Sequence, residues 1–148
     1  QERIHDPYRM RGKPPEPTVC PECGVMFRDG HWQWPAEPPR DPDYALCPAC
    51  RRIRDRVPAG VLSLSGPFFR EHREDVMNLV RNKVHQEKIR NPMKRLMDIR
   101  DDNGGVVAYF TDDHLPRGVG DAVASAYDGE LDVHFTDEAG IVRAYWYR

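Results

Sequence analysis

From residue 61 onward, apolar positions alternate, recur at helical spacing, and alternate again. Val61-Leu62-Ser63-Leu64-Ser65 alternates like a strand, and Gly66-Pro67 breaks it. Proline suits the first turn of a helix, where a missing N–H costs nothing. Phe69, Val76, Leu79, Val80 and Val84 follow at near-helical spacing, which predicts one long amphipathic helix over 68–90, ended by Asn91-Pro92. Met97 and Ile99 are then expected on one face of a strand, and Val106, Ala108 and Phe110 on one face of the next. Asp101-Asp102-Asn103-Gly104-Gly105 is the hairpin turn between them. Val119, Ala122, Val123, Ala126 and Tyr127 form the core face of a short helix that opens near Pro116 and stops at Asp128-Gly129. Leu131, Val133 and Phe135 alternate in a third strand. Asp137-Glu138-Ala139-Gly140 turns the chain, and Ile141 to Tyr147 returns as a fourth.

The fold class is therefore α+β, with 58–148 a domain of order β-α-β-β-α-β and one extra strand. The first six elements match the split βαβ, ferredoxin-like arrangement. It predicts a four- or five-stranded antiparallel sheet with both helices on one face. The other face would carry Val107, Tyr109, His134 and Thr136, or be covered by the preceding module.

That module, residues 20–57, is patterned by cysteine. Cys20-Pro-Glu-Cys23 and Cys47-Pro-Ala-Cys50 are two Cys-x2-Cys pairs, and they use every cysteine of the chain. Paired spacing of this kind lets four sulfurs reach one tetrahedral ion. Two disulfides would suit a small secreted domain, but no stretch looks like a signal peptide. A redox pair needs only one motif on a βαβ unit, which is absent around Cys20. The expected cofactor is structural Zn2+ on Cys20, Cys23, Cys47 and Cys50. Four thiolates leave no open position for water or substrate.

Between the pairs, Val25-Met26-Phe27 and His31-Trp32-Gln33-Trp34 read as two short strands around Arg28-Asp29-Gly30. Trp32 and Trp34 are expected to cover the metal knuckle, with a base-stacking platform as the alternative. Cys47 and Cys50 are placed at the start of a helix, giving a zinc-ribbon or treble-clef-like module. A helix N-terminus favours thiolates. Arg51, Arg52, Arg54 and Arg56 follow on that helix. They either bind phosphate, for which the planar guanidinium fork is suited, or partly neutralise the zinc–thiolate centre from a solvated face. Residues 1–19 read as an extended Pro-rich arm bearing Arg9, Arg11 and Lys13. It lies along RNA or a partner, or is a solvated terminus.

The net charge of −2 hides an asymmetry. Residues 1–100 hold 19 Lys/Arg and 14 Asp/Glu, and residues 101–148 hold 3 and 10. The front can face a polyanion and the tail cannot. No run of 18 apolar residues exists, so no membrane partner is expected. Cysteines spent on a metal point to a reducing compartment, the cytoplasm. No phosphate loop, Gly-x-Gly-x-x-Gly or Gly-x-Ser-x-Gly elbow occurs. Asp112-Asp113-His114 is better read as helix capping than as an acid/base cluster. No enzymatic activity is expected.

The stretches Glu16-Pro-Thr-Val-Cys20-Pro-Glu-Cys23-Gly24, His31-Trp32-Gln33-Trp34, Ala45-Leu46-Cys47-Pro48-Ala49-Cys50-Arg51-Arg52, Pro58-Ala59-Gly60 and Leu64-Ser65-Gly66-Pro67 resemble a family of small bacterial zinc-binding proteins. Its members are often encoded among stress and low-oxygen genes. More weakly, the zinc pairs, the helix from Phe68, and Asp128 to Trp146 are similar to the export adaptor family of the large ribosomal subunit and its archaeal relatives. These resemblances imply a zinc protein that associates with the ribosome or structured RNA, in stress or hibernation. The alternative is a protein–protein adaptor or regulator, anchored by Trp32, Trp34, Tyr145 and Trp146.

Overall fold

The computed structural model describes residues 13–135 and 140–148. Among the described residues, two sheets and four helices form. The small sheet holds β1 (Thr18–Val19), β2 (Met26–Arg28), β3 (His31–Gln33) and β4 (Asp43–Tyr44), in the order β3-β2-β1-β4. Helix α1 (Pro48–Asp55) follows it. The large sheet holds β5 (Gly60–Ser65), β6 (Leu96–Asp102), β7 (Gly105–Phe110), β8 (Glu130–Phe135) and β9 (Val142–Tyr147). Helices α2 (Pro67–Glu71) and α3 (Arg73–Arg90) lie between β5 and β6, and α4 (Leu115–Tyr127) between β7 and β8.

Alternation dictates the core. Leu62, Leu64, Val106, Ala108, Phe110, Ala144 and Trp146 point to one face of the large sheet. They meet Phe69, Val76, Val80 and Val84 from α2 and α3, and Val119 and Val123 from α4. All the helices of this half thus cover one face, as the pattern predicted. Each of the valine, leucine and phenylalanine side chains in this core contributes about 1.5–3 kcal/mol on burial. Asp112 accepts from the backbone N–H groups of His114 and Leu115 at 2.8 and 3.0 Å, which closes the first turn of α4. This is the capping role expected of the Asp112-Asp113-His114 stretch.

The sheet order is β6-β7-β5-β9-β8, which corrects the expected all-antiparallel sheet. Strand β9 is not appended at the edge. It enters between β5 and β8 and runs parallel to β5, with Gly60 opposite Val142 and Ser65 opposite Tyr147. The β8–β9 hairpin then leaves β8 outermost. Trp146, expected as an exposed anchor, is fully buried at the centre of this arrangement, with its indole N–H on the Asp128 carbonyl.

Three local departures have physical causes. The 68–90 helix breaks at His72, whose φ of −119° and ψ of 26° are not helical; its ring stacks on Phe68 at 4.1 Å. A bulge between Leu96 and Asp98 shifts the register of β6. Leu96 and Ile99 therefore face the core, while Met97 turns to the opposite face beside Tyr109. The residues expected to share a face are split. Phe135, expected to alternate inward with Leu131 and Val133, is 71% exposed.

Gly66 sits at φ 112°, and a Cβ there would collide with the backbone of Arg148. Glycine is what lets β5 turn into α2 against the chain's last residue. Of the turn predicted over 137–140, residues 137–139 lie outside the described residues, as does Thr136. Among the described residues no helix is long and apolar enough to cross a membrane.

Candidate metal centre

The first pair of cysteines sits on a tight knuckle. The N–H of Gly24 donates to Cys20 O, and the N–H of Cys20 to Val25 O, both at 2.9 Å. Gly24 closes the turn at φ 83°, a conformation open to glycine without strain. The second pair uses a helix start. Cys47 is the N-cap of α1, Pro48 its first residue, and the Cys47 sulfur accepts from the N–H of Cys50 at 3.3 Å. The order of knuckle, β2–β3 hairpin and helix agrees with the sequence expectation.

The four sulfurs lie within 4.8 Å of one another, and none is joined in a disulfide. A tetrahedral ion bonded to sulfur at about 2.3 Å sets its ligands about 3.8 Å apart. Cys23 Sγ and Cys47 Sγ are 3.8 Å apart. The donor set therefore fits one soft or borderline metal ion. Cys20 and Cys47 are buried, with Val25 and Ala49 packed against them, and Trp32, Trp34, Leu46 and Met93 close the periphery. Trp32 also meets Phe27 edge-on at 5.4 Å. Both tryptophans are half-buried and pack against the knuckle as its cover.

Besides Met93, a second residue from the other half of the chain reaches the site. Arg95 is 6% exposed and follows a turn in which Asn91 Oδ1 accepts from Met93 N–H. Its backbone is clamped by Thr111, which accepts from Arg95 N–H through Oγ1 and donates its own N–H to Arg95 O, both at 2.9 Å. Its Nε donates to Pro92 O at 2.6 Å. The two terminal nitrogens then face the sulfurs, reaching Cys23 at 3.1 Å, Cys50 at 3.7 Å and Cys47 at 4.0 Å. The guanidinium lies 5.4 Å from the centroid of the Trp34 ring.

Ionisation of the thiols follows from these neighbours. The hydrogen bond shared with the Cys47 sulfur, aided by Val25 N–H and Arg95, holds Cys23 down to about 4 against the opposing effect of burial. The same shared bond, and burial, push Cys47 up. Burial, then the charge of Cys23, pushes Cys50 up to about 11. Burial works against the charge of Arg95, but the bond to Cys23 and the sulfur charges outweigh it and raise its pKa.

The arginines singled out in the sequence, Arg51, Arg52, Arg54 and Arg56, follow Cys50 along α1 and at its C-cap. Arg52 donates to Val57 O at 3.1 Å, and Arg54 pairs with Asp55 at 2.9 Å. Arg54 and Arg56 are exposed, and Arg51 and Arg52 half-buried. Lys13 is exposed, while Arg9 and Arg11 lie outside the described residues. Glu16 accepts from the N–H groups of Asp29 and Gly30, and Thr18–Val19 is strand β1. The end of the expected 1–19 arm thus belongs to the small sheet.

Beside α1 runs a groove of about 510 Å³. Ile53, Arg56 and Pro58 form one wall, and Met97, Asp98, Arg100 and Tyr109 the other. Sequence reasoning missed Arg95, and a Lys-Arg pair after a helix carries no signal of burial.

Comparison with protein-family models, curated proteins and solved structures finds no match to this chain.

Proposed function

We propose that this chain is a non-catalytic protein that holds a structural zinc ion on Cys20, Cys23, Cys47 and Cys50 and associates with structured RNA, as on the ribosome. The observation that carries this reading is the placement of α1. Its first turn bears two of the four sulfurs, and its arginines begin at the next residue. A filled thiolate cage offers no site for substrate, so the ion's contribution is to fix that helix. Arg56 is exposed at its end, where a guanidinium fork suits phosphate oxygens, and Arg54 is exposed beside it, paired with Asp55. Thiolate ligation of this kind persists in a reducing compartment, which favours the cytoplasm.

Sedimentation of tagged protein through a sucrose gradient tests the reading. The protein is expected to move with ribosomal particles at low salt and to leave them as salt rises. Protein that stays at the top at low salt, in growing and in starved cells, contradicts it.

A second reading is favoured by a separate observation. On the sheet face away from the helices, Tyr145 and Tyr147 are 44% and 56% exposed, with His134 against Tyr145 at 5.6 Å. The acidic last third of the chain suits a basic protein partner there. RNase treatment before affinity purification separates the readings. Loss of the associated material supports RNA, and retention supports a protein adaptor.

A further inference from the structure

We infer that Arg95 is the latch that fastens the metal module to the large sheet, so that the groove beside α1 is a surface assembled by metal binding. The inference rests on the zinc reading and goes beyond it, because it concerns how the bound ion is felt by the rest of the chain.

Arg95 belongs to the large-sheet half by its backbone and to the module by its guanidinium. Thr111 and Pro92 fix the near end, and Cys23, Cys47 and Cys50 receive the far end. The side chain is buried, so its charge needs these acceptors to remain there. An ion holding four sulfurs at fixed distances supplies them as a rigid, net anionic target. Without the ion the sulfurs keep only the bonds of the knuckle and of the α1 N-terminus, and the donors of Arg95 lose a rigid, net anionic target.

A second bond runs across the same seam. The Trp34 indole N–H donates to Lys88 O at 2.9 Å, directly beside Arg95. The groove is the consequence. Ile53 and Arg56 come from the module's helix, and Met97, Arg100 and Tyr109 from β6 and β7. Its two walls face each other only while the module is docked.

The two indoles with assigned partners give an internal comparison. Trp34 bonds across the seam, and Trp146 bonds to Asp128 within the large-sheet half. Hydrogen exchange of both indole N–H groups is measured by NMR in the full zinc-loaded chain, with zinc content determined on the same sample. Arg95→Met is expected to retain one zinc per chain, to exchange the Trp34 proton at least about tenfold faster, and to leave Trp146 unchanged. Removing zinc from the wild-type chain is expected to have the same selective effect.

Should Arg95→Met be insoluble, Arg95→Lys gives the same readout, since it keeps the charge and loses the fork. Unchanged Trp34 exchange in the zinc-loaded variant overturns the inference. So does a zinc-free wild-type chain in which Trp34 stays protected, or equal acceleration at both indoles. A wild-type chain that binds no zinc would instead remove the zinc reading itself.

Discussion

Trp34 donates its indole N–H to the carbonyl of Lys88, and the reason lies four residues further on. In a continuing helix that carbonyl would accept from residue 92, which is Pro92 and has no N–H. The end of α3 therefore presents an orphan acceptor, and the first half of the chain satisfies it. Trp34→Phe keeps most of the ring under Arg95 but leaves Lys88 O unpaired. A loss of about 1 kcal/mol is expected, seen as a fall of about 2–4 °C in Tm. An unchanged melting curve would remove the bond from the account.

Gly66→Ala is expected to cost much more. The position combines a φ of 112° with a backbone that would meet the new Cβ at Arg148. Urea unfolding should show a loss of about 2 kcal/mol or more. A neutral result would mean that the Ser65–Arg148 and Phe69–Arg148 backbone bonds do not hold β5, α2 and the chain's end together.

Arg54→Glu and Arg56→Glu test the RNA reading residue by residue. If each arginine neutralises one phosphate, each change should make the slope of log K against log salt shallower by about 0.7–0.9. Arg54→Glu also gives up the pairing with Asp55, so each variant is compared with the wild type by its melting curve before binding is measured. Equal slopes for the variants and the wild type would take α1 out of the interface.

Glu87 gives a pH dependence. Its carboxylate reaches Lys83 and Lys94 at 3.3 Å and Arg90 at 3.6 Å, tying α3 to the segment that leads to Arg95. Burial raises its pKa, but the bonds from Lys83 and Lys94 and their charges outweigh that and lower it below 4.5. A carboxylate lowered by folding stabilises above its unfolded pKa, and the contribution is lost as pH falls through the folded value. Glu87→Gln should therefore melt about 1–2 °C lower at pH 7, with the gap closing in acid as pH falls through the lowered carboxyl pKa. A gap that persists into acid would contradict the ion-pair origin.

The four-sulfur cluster was legible because the spacing of the cysteines is itself the chemistry. Two Cys-x2-Cys pairs leave little else for four sulfurs to do. The strands from Gly60 to Phe110 were legible because Leu62, Leu64, Val106, Ala108 and Phe110 alternate cleanly. The place of β9 was not legible. A hairpin fixes which strand β8 pairs with, but not which of the two docks on β5, and parallel pairing with β5 needed the assembled sheet. The bulge at Leu96–Asp98 broke the alternation on which the Met97 expectation rested. Strand β4, two residues paired parallel to β1, is too short and too exposed to leave a pattern. Arg95 escaped for a different reason. Its role depends on Thr111 behind it and Cys23 ahead, partners that lie 16 and 72 residues away in sequence.

The most direct measurement is native mass spectrometry of the chain purified without chelators, paired with elemental analysis and thiol counting under denaturation. One zinc per chain and four reducible-agent-independent free thiols after its removal are expected from Cys20, Cys23, Cys47 and Cys50. Less than about half an equivalent of metal, or sulfurs joined to one another, would contradict the account.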